Sequence, residues 1–177
     1  MQNLMERMIR AAKLDVALYE EVETDNQATG QAAGVVVLSS RAAGLGSLTS
    51  AGVAGIVFGT LMALIGWYIW AYMTYYIGTK FLPEPQTHAT PGELLRTVGF
   101  ASSPGLLRLV GLIPGLTGIV FVVTSIWMLA AMIIAVRQAL DYQSTLRAVG
   151  VCAIGWLVNM LVMFLVFLLF GSSSTAV

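Results

Sequence analysis

The feature that most constrains this chain is an uncharged apolar run, VAGIVFGTLMALIGWYIWAYMTYYIG, from Val53 to Gly78. A helix needs about 20 mostly apolar residues to cross a bilayer. In lipid its backbone groups must be satisfied internally, which selects helix over open strand. Segments at roughly 114–136 and 146–170 meet the same requirement. Two more are weaker. The first, 28–48, carries Arg41 well inside it, and the third, 91–113, carries Arg96, Ser102, Ser103, Pro104 and Arg108. Only 10% of the residues are charged, against about 25% in soluble domains. The expected fold is an all-α polytopic membrane bundle of five transmembrane helices, the third kinked or broken, with an amphipathic helix at the N-terminus. Its divisions are a head at 1–27, a membrane domain at 28–170 and a tail at 171–177.

The third segment has a sharp start. Thr90-Pro91-Gly92-Glu93 reads as a capping box with proline at the first helical position. Pro104 lacks an N–H, so the helix should break near Ser102–Ser103. Such a break at membrane depth requires shielding by protein or a wet cavity. In the head, Leu4, Met5, Met8, Ile9 and Ala12 recur at helical spacing, with Arg7, Arg10 and Lys13 mostly off that stripe. Two readings fit: a helix lying on the membrane surface, or a helix packed on its own protein. The acidic stretch DVALYEEVETDN follows, and Thr24 with Gln27 reads as a cap for the first membrane segment.

Lysine and arginine near span ends favour the cytoplasm. With the N-terminus inside and five crossings, Arg7, Arg10, Lys13, Lys80, Arg137 and Arg147 all fall on the cytoplasmic side. The loops near 48–52 and 110–115 and the tail GSSSTAV, all outside, carry no lysine or arginine. Removing the first or third crossing sends cytoplasmic charges outward. The stretch IAVRQALDYQSTLRAVGV is then a cytoplasmic turn holding Arg137, Asp141 and Arg147, with Arg137 and Asp141 spaced to pair if the helix extends that far. The expected location is the cell membrane, N-terminus in and C-terminus out.

Arg41 and Arg108 fall on the outer half, away from every carboxylate. Arginine at a span centre costs about 2.5–3.5 kcal/mol. One reading gives both to an anionic lipid headgroup, which guanidinium matches bidentately; the other has them snorkel to the interface. Gly55 and Gly59 form a GxxxG pair suited to close helix approach, although 18 glycines make such pairs easy to find. Asn159, mid-way along the fifth segment, is expected to bond another helix. Trp67, Tyr68, Trp70, Tyr72, Tyr75 and Tyr76 crowd one half of the second segment as interface anchors or core; some are open to a partner or a pigment.

No chemistry of a familiar kind is legible. Net charge is zero, so no basic footprint points to nucleic acid. The single histidine, His88, has no cysteine nearby. Glu84 and Glu93 flank it in a proline-rich loop that preorganises nothing. Cys152 lies in an apolar run and reads as packing. Neither an enzyme activity nor a cofactor is expected.

ELLRTVGFASSPGLLRLVGLIPG, with SIWMLAAMIIAVRQALDYQSTLRAVGVCAIGWLV, resembles bacterial members of the Yip1-type domain family over roughly residues 5–170. The resemblance implies about five spans with a cytoplasmic N-terminus, the arrangement the charges give independently. Eukaryotic relatives bind prenylated Rab GTPases and act in vesicle traffic and membrane shaping. Their acidic-aromatic DLYGP-type segment has no counterpart here, LYEEVE being a loose echo, so Rab binding is not carried over. The expected function is a non-enzymatic membrane scaffold or interaction protein with a membrane-organising or trafficking-like role. Its partners would be membrane lipids and a protein partner or a second copy. Two alternatives stand: an accessory subunit of a larger energy-transducing or photosynthetic complex, and a lipid or small-solute carrier built on the broken third segment. No inverted repeat supports the carrier.

Overall fold

A computed structural model describes residues 3–46 and 52–170, and all regular structure among them is helical. The expected tail at 171–177 and most of the loop at 48–52 lie outside the described residues. The head forms two helices, α1 (Leu4–Ala12) and α2 (Val16–Thr24). Then come α3 (Ala28–Gly46) and α4 (Gly52–Tyr76), which runs into a π turn at Ile77–Phe81. The third segment is α5 (Pro91–Phe100) followed by a 3₁₀ stretch (Ser103–Leu112). The chain ends in α6 (Thr117–Ala139) and α7 (Thr145–Phe170).

Local chemistry sets these boundaries. The side chains of Asn3 and Asp15 accept from the amides of Met5 and Ala17, capping α1 and α2. Leu14, at φ 61°, makes the left-handed turn between them. Thr90 and Glu93 form the reciprocal capping box that starts α5. The expected break also occurs: α5 ends at Phe100, and Pro104 sits in the first turn of the 3₁₀ stretch. Thr24, however, does not cap α3. Its hydroxyl turns back onto the carbonyls of Glu20 and Glu21, and Asp25 receives the Gln27 amide instead.

Among the described residues, three helices are long and apolar enough to cross a membrane: Ala54–Phe81, Thr117–Ala139 and Thr145–Val162. The two weak segments fall short for different reasons. α3 has the length, but Gln31, Ser39, Ser40 and Arg41 dilute it. The third segment is apolar but split into two pieces of ten residues each. Protein shields the break: every residue from Leu94 to Ala101 is buried. α3 lies along the 3₁₀ stretch, close enough that a Cβ on Gly105 would strike Ser39.

Burial is lopsided. One core joins the head to α3, α5 and α6 through Leu18, Tyr19, Val22, Ala32, Phe100 and Ala135. A second joins α4, α5, α6 and α7 through Ala71, Leu94, Val136, Leu140, Ala148 and Val151. Both lie towards the end of the bundle that carries the head. Towards the other end, large apolar side chains stand out: Phe58 is 64% exposed, Ile119 65% and Leu157 62%.

The head is a helical hairpin packed on its own protein. Arg7, on the first turn and a half of α1, reaches Glu21 and Asp25 near the end of α2, so the two helices run antiparallel. Met8 of the expected α1 stripe faces the core together with Ala11, which lies off that stripe, while Met5 and Ile9 stay exposed. Arg7 is a core residue, 6% exposed.

Candidate functional site

Two constellations stand out, one at each side of the break in the third segment. The first is the clamp that holds the head. Arg7 donates to Glu21 (2.9 Å), Asp25 (2.9 Å) and Gln31 (3.0 Å). Burial works against its charge, but the hydrogen bonds to Asp25 and Glu21 prevail and raise its pKa. The same bond to Arg7 holds Asp25 below the usual carboxylate range. Arg10 ties Asp15 to Glu21, each at 2.7 Å. Arg96, 5% exposed on α5, donates to the carbonyls of Val22 (2.9 Å) and Glu23 (3.0 Å). Those carbonyls belong to the last turn of α2, where a helix leaves acceptors without intrahelical partners. Further along, Trp127 Nε1 donates to the carbonyl of Ala12 at 2.7 Å. The head is thus fastened at both ends of its hairpin to the central segment and to α6.

Glu23 is the strained member. Its Oε2 is buried without a hydrogen-bond partner. Burial, then repulsion from Glu20, Asp141 and Glu93, pushes its carboxyl up to about 8, with Arg96 pulling the other way.

Around the clamp, the loops at this end tie together. Glu84 accepts from the amides of Gln143 (2.8 Å) and Ser144 (3.4 Å) and pairs with Arg147 at 3.4 Å. Gln138 of α6 bonds Glu20 of the head. Arg137 does not pair with Asp141. The α6 helix stops at Ala139 and Asp141 takes φ 53°, so the helical spacing the pair needs is gone. Arg137 instead caps the turn, donating to the carbonyls of Tyr142 (3.2 Å) and Gln143 (3.3 Å). His88 sits exposed on the 82–90 loop, and Glu84 is committed to the turn rather than to it.

The second constellation surrounds Arg108 on the 3₁₀ stretch. Its guanidinium lies over the Phe121 ring, 4.5 Å from the centroid, where the ring's quadrupole attracts it. Nε approaches the Thr124 hydroxyl at 3.4 Å and Nη2 the Ser125 hydroxyl at 3.3 Å. No carboxylate pairs with it among the described residues. Two cavities, of about 610 and 510 Å³, open on either side. Arg108, Trp70, Met128 and Met132 line both. Gly55 and Gly59 line the larger one: at Gly59 an added Cβ would meet nothing within 4 Å. Gly59 holds space open. Close approach happens elsewhere, at Gly99, where a Cβ would sit 2.7 Å from Ala32 Cβ.

The two orphan arginines do not converge. Arg41 is exposed on α3 and lines neither cavity. Asn159 is exposed on α7, with no hydrogen bond to another helix among the described residues. Sequence reasoning missed Arg7 as a core residue and α2 as a packed helix, and it named Trp70 only among the aromatic anchors. The signal for Arg7 was present, since Glu21 and Asp25 stand four apart on one helical face. Trp70 Nε1 is buried with no hydrogen-bond partner, which only the packing could reveal.

Among the described residues no group of three or more His, Cys, Asp or Glu side chains is placed to hold a metal. Comparison with curated proteins and with solved structures gives no match. A family model, the Yip1 domain, matches residues 23–167. That stretch runs from the end of α2 through α7, taking in the broken segment, the Arg108 cavities and three helices apolar enough to cross a bilayer. The chain is a membrane protein of the Yip1 domain family.

Proposed function

We propose that this protein is a non-enzymatic scaffold that organises the membrane in which it sits. It crosses five times, with the N-terminus cytoplasmic and the C-terminus outside the cell membrane. The positions of its loops support that threading. The head, the 82–90 loop and the 140–144 turn meet at one end through Glu20–Gln138, Glu84–Arg147 and Gln86–Asp141 contacts, as an N-in, five-crossing chain requires. The third segment also has the reach. Ten α residues and ten 3₁₀ residues rise together by roughly 35 Å, against about 30 Å of hydrocarbon.

The observation that carries the scaffold reading is the clamped head. A tethered amphipathic helix would need only its own apolar stripe. Here Arg7, Arg96 and Trp127 fix a hairpin against the bundle, and it still turns Met5 (57% exposed), Ile9 (49%) and Val16 (45%) outward. A rigid shoulder with an apolar flank at the cytoplasmic leaflet displaces lipid on one side only, which bends or orders a bilayer. Reconstitution into vesicles tests this. The intact protein should shift vesicles towards smaller radii, and a Met5→Asp/Ile9→Asp pair should abolish the shift while the bundle still melts normally. Equal activity of the pair, or no shift with the intact chain, defeats the reading.

Asn159 favours a second reading, the accessory subunit. An amide facing lipid lacks any partner, and a neighbouring transmembrane helix would supply one. Co-purification at fixed stoichiometry, lost in Asn159→Leu, would support it; unchanged association would argue against it.

A further inference from the structure

We propose that the two cavities flanking Arg108 form one binding site for an anionic amphiphile of the membrane, with its acidic headgroup on Arg108 and its chain in the apolar cavity. The charge comes first. Arg108 brings five donors to the site and spends two of them on hydroxyls at 3.4 and 3.3 Å, the long end of the hydrogen-bond range. A half-buried cation without an acidic partner is costly, and an anion removes that cost.

Snorkelling does not describe this side chain. Thr124 and Ser125 lie two turns in from the start of α6 at Thr117. The guanidinium therefore folds inward over Phe121 rather than reaching for the helix end. Trp70 adds an aromatic wall that both cavities share.

The cavities differ in a way that fits head and tail. The larger is lined by Ser39, Ser40 and Ser102 and floored by glycines. The smaller is walled by Leu129, Ile133, Val149 and Trp156. Each lies within the roughly 300–1,000 Å³ of small-ligand sites. Arg41 takes no part, since it lines neither cavity.

The test uses the full chain in nanodiscs of equal phosphatidylglycerol and phosphatidylcholine, followed by native mass spectrometry of retained lipid. Phosphatidylglycerol should be retained in preference to phosphatidylcholine. Arg108→Gln should cut that retention about tenfold, Arg108→Lys should cut it less, and Arg41→Gln should leave it unchanged. Gly59→Leu fills the larger cavity and should also cut retention, which keeps the proposal open to refutation if Arg108→Gln does not fold. Inorganic phosphate at millimolar concentration should fail to displace the lipid; displacement would mean a free-anion site and would overturn the amphiphile. Equal retention of the two lipids, full retention in both Arg108→Gln and Gly59→Leu, or an equal loss in Arg41→Gln would each overturn it as well.

Discussion

The head-bearing half of this molecule and the opposite half are built from the same helices on different terms. In the first, Leu18, Tyr19, Phe100 and Leu140 are fully buried, and arginines pin carbonyls and carboxylates. In the second, Phe58, Ile119 and Leu157 face outward and cavities separate the helices. At the head itself water is the reason, because burying apolar surface from it drives close packing. Lipid explains the second half, because hydrocarbon tails solvate leucine as well as another helix does. The contrast predicts that the same kind of substitution has different, even opposite, effects at the two ends.

The largest effect should come from Arg7→Leu. It leaves Glu21 and Asp25 without their shared cation and Gln31 without its donor. Removing one partner from a buried pair costs about 3–5 kcal/mol. The carboxylates are about 30% exposed and re-solvate in part (28% and 32%), so the expected loss is nearer 3 kcal/mol. Limited proteolysis should then release the first 25 or so residues while the rest of the bundle resists. Simultaneous loss of the whole bundle would show that the two halves are a single cooperative unit.

Gly99→Ala comes next. Its new Cβ would sit 2.7 Å from Ala32 Cβ and 3.2 Å from that residue's backbone. Backbone cannot give way as a side-chain tip can, so overpacking should cost about 2 kcal/mol. A thermal melt in detergent reads this as a lower Tm.

How far the sequence carried differs between the halves in the same way. Three helices long and apolar enough to cross, the break at Pro104 and the Thr90–Glu93 cap were legible because each depends on local composition or a short motif. The helix α2 was not legible, because its acidic surface hid an apolar face at Leu18, Tyr19 and Val22. The Arg137–Asp141 pairing failed on two residues of helix length. The cavity lined by Arg108 and Trp70 joins residues from α4, the 3₁₀ stretch and α6, and no local pattern encodes that meeting.

A pH titration sharpens the comparison at the head. Glu23 has its folded carboxyl pushed up to about 8 by burial and by Glu20, Asp141 and Glu93. The fold therefore favours its neutral form, and that stability is full below the ordinary glutamate range and lost as pH rises through about 8. On the acid side the sign reverses. Asp15 and Asp25 are held low by Arg10 and Arg7, so their contribution is present above the ordinary aspartate range and lost as pH falls through the lowered values. Protection of α1 and α2 amides against exchange should fall from pH 6 to pH 9, and Glu23→Gln should remove that fall. A flat profile in the unsubstituted protein would show that Glu23 is solvated.

The smallest effect, and the one of opposite sign, belongs to Gly59→Ala. Gly59 lies inside α4, where glycine costs about 0.5–1 kcal/mol relative to alanine. Its added methyl would meet nothing within 4 Å, so no clash offsets that gain. Stability should rise by about 0.5 kcal/mol, while Gly99→Ala, the same chemical change packed against Ala32, lowers it. Parallel melts of the two variants decide the matter. If Gly59→Ala is as damaging as Gly99→Ala, then α4 closes on a neighbour at Gly59, and the open half is packed by the same rules as the head.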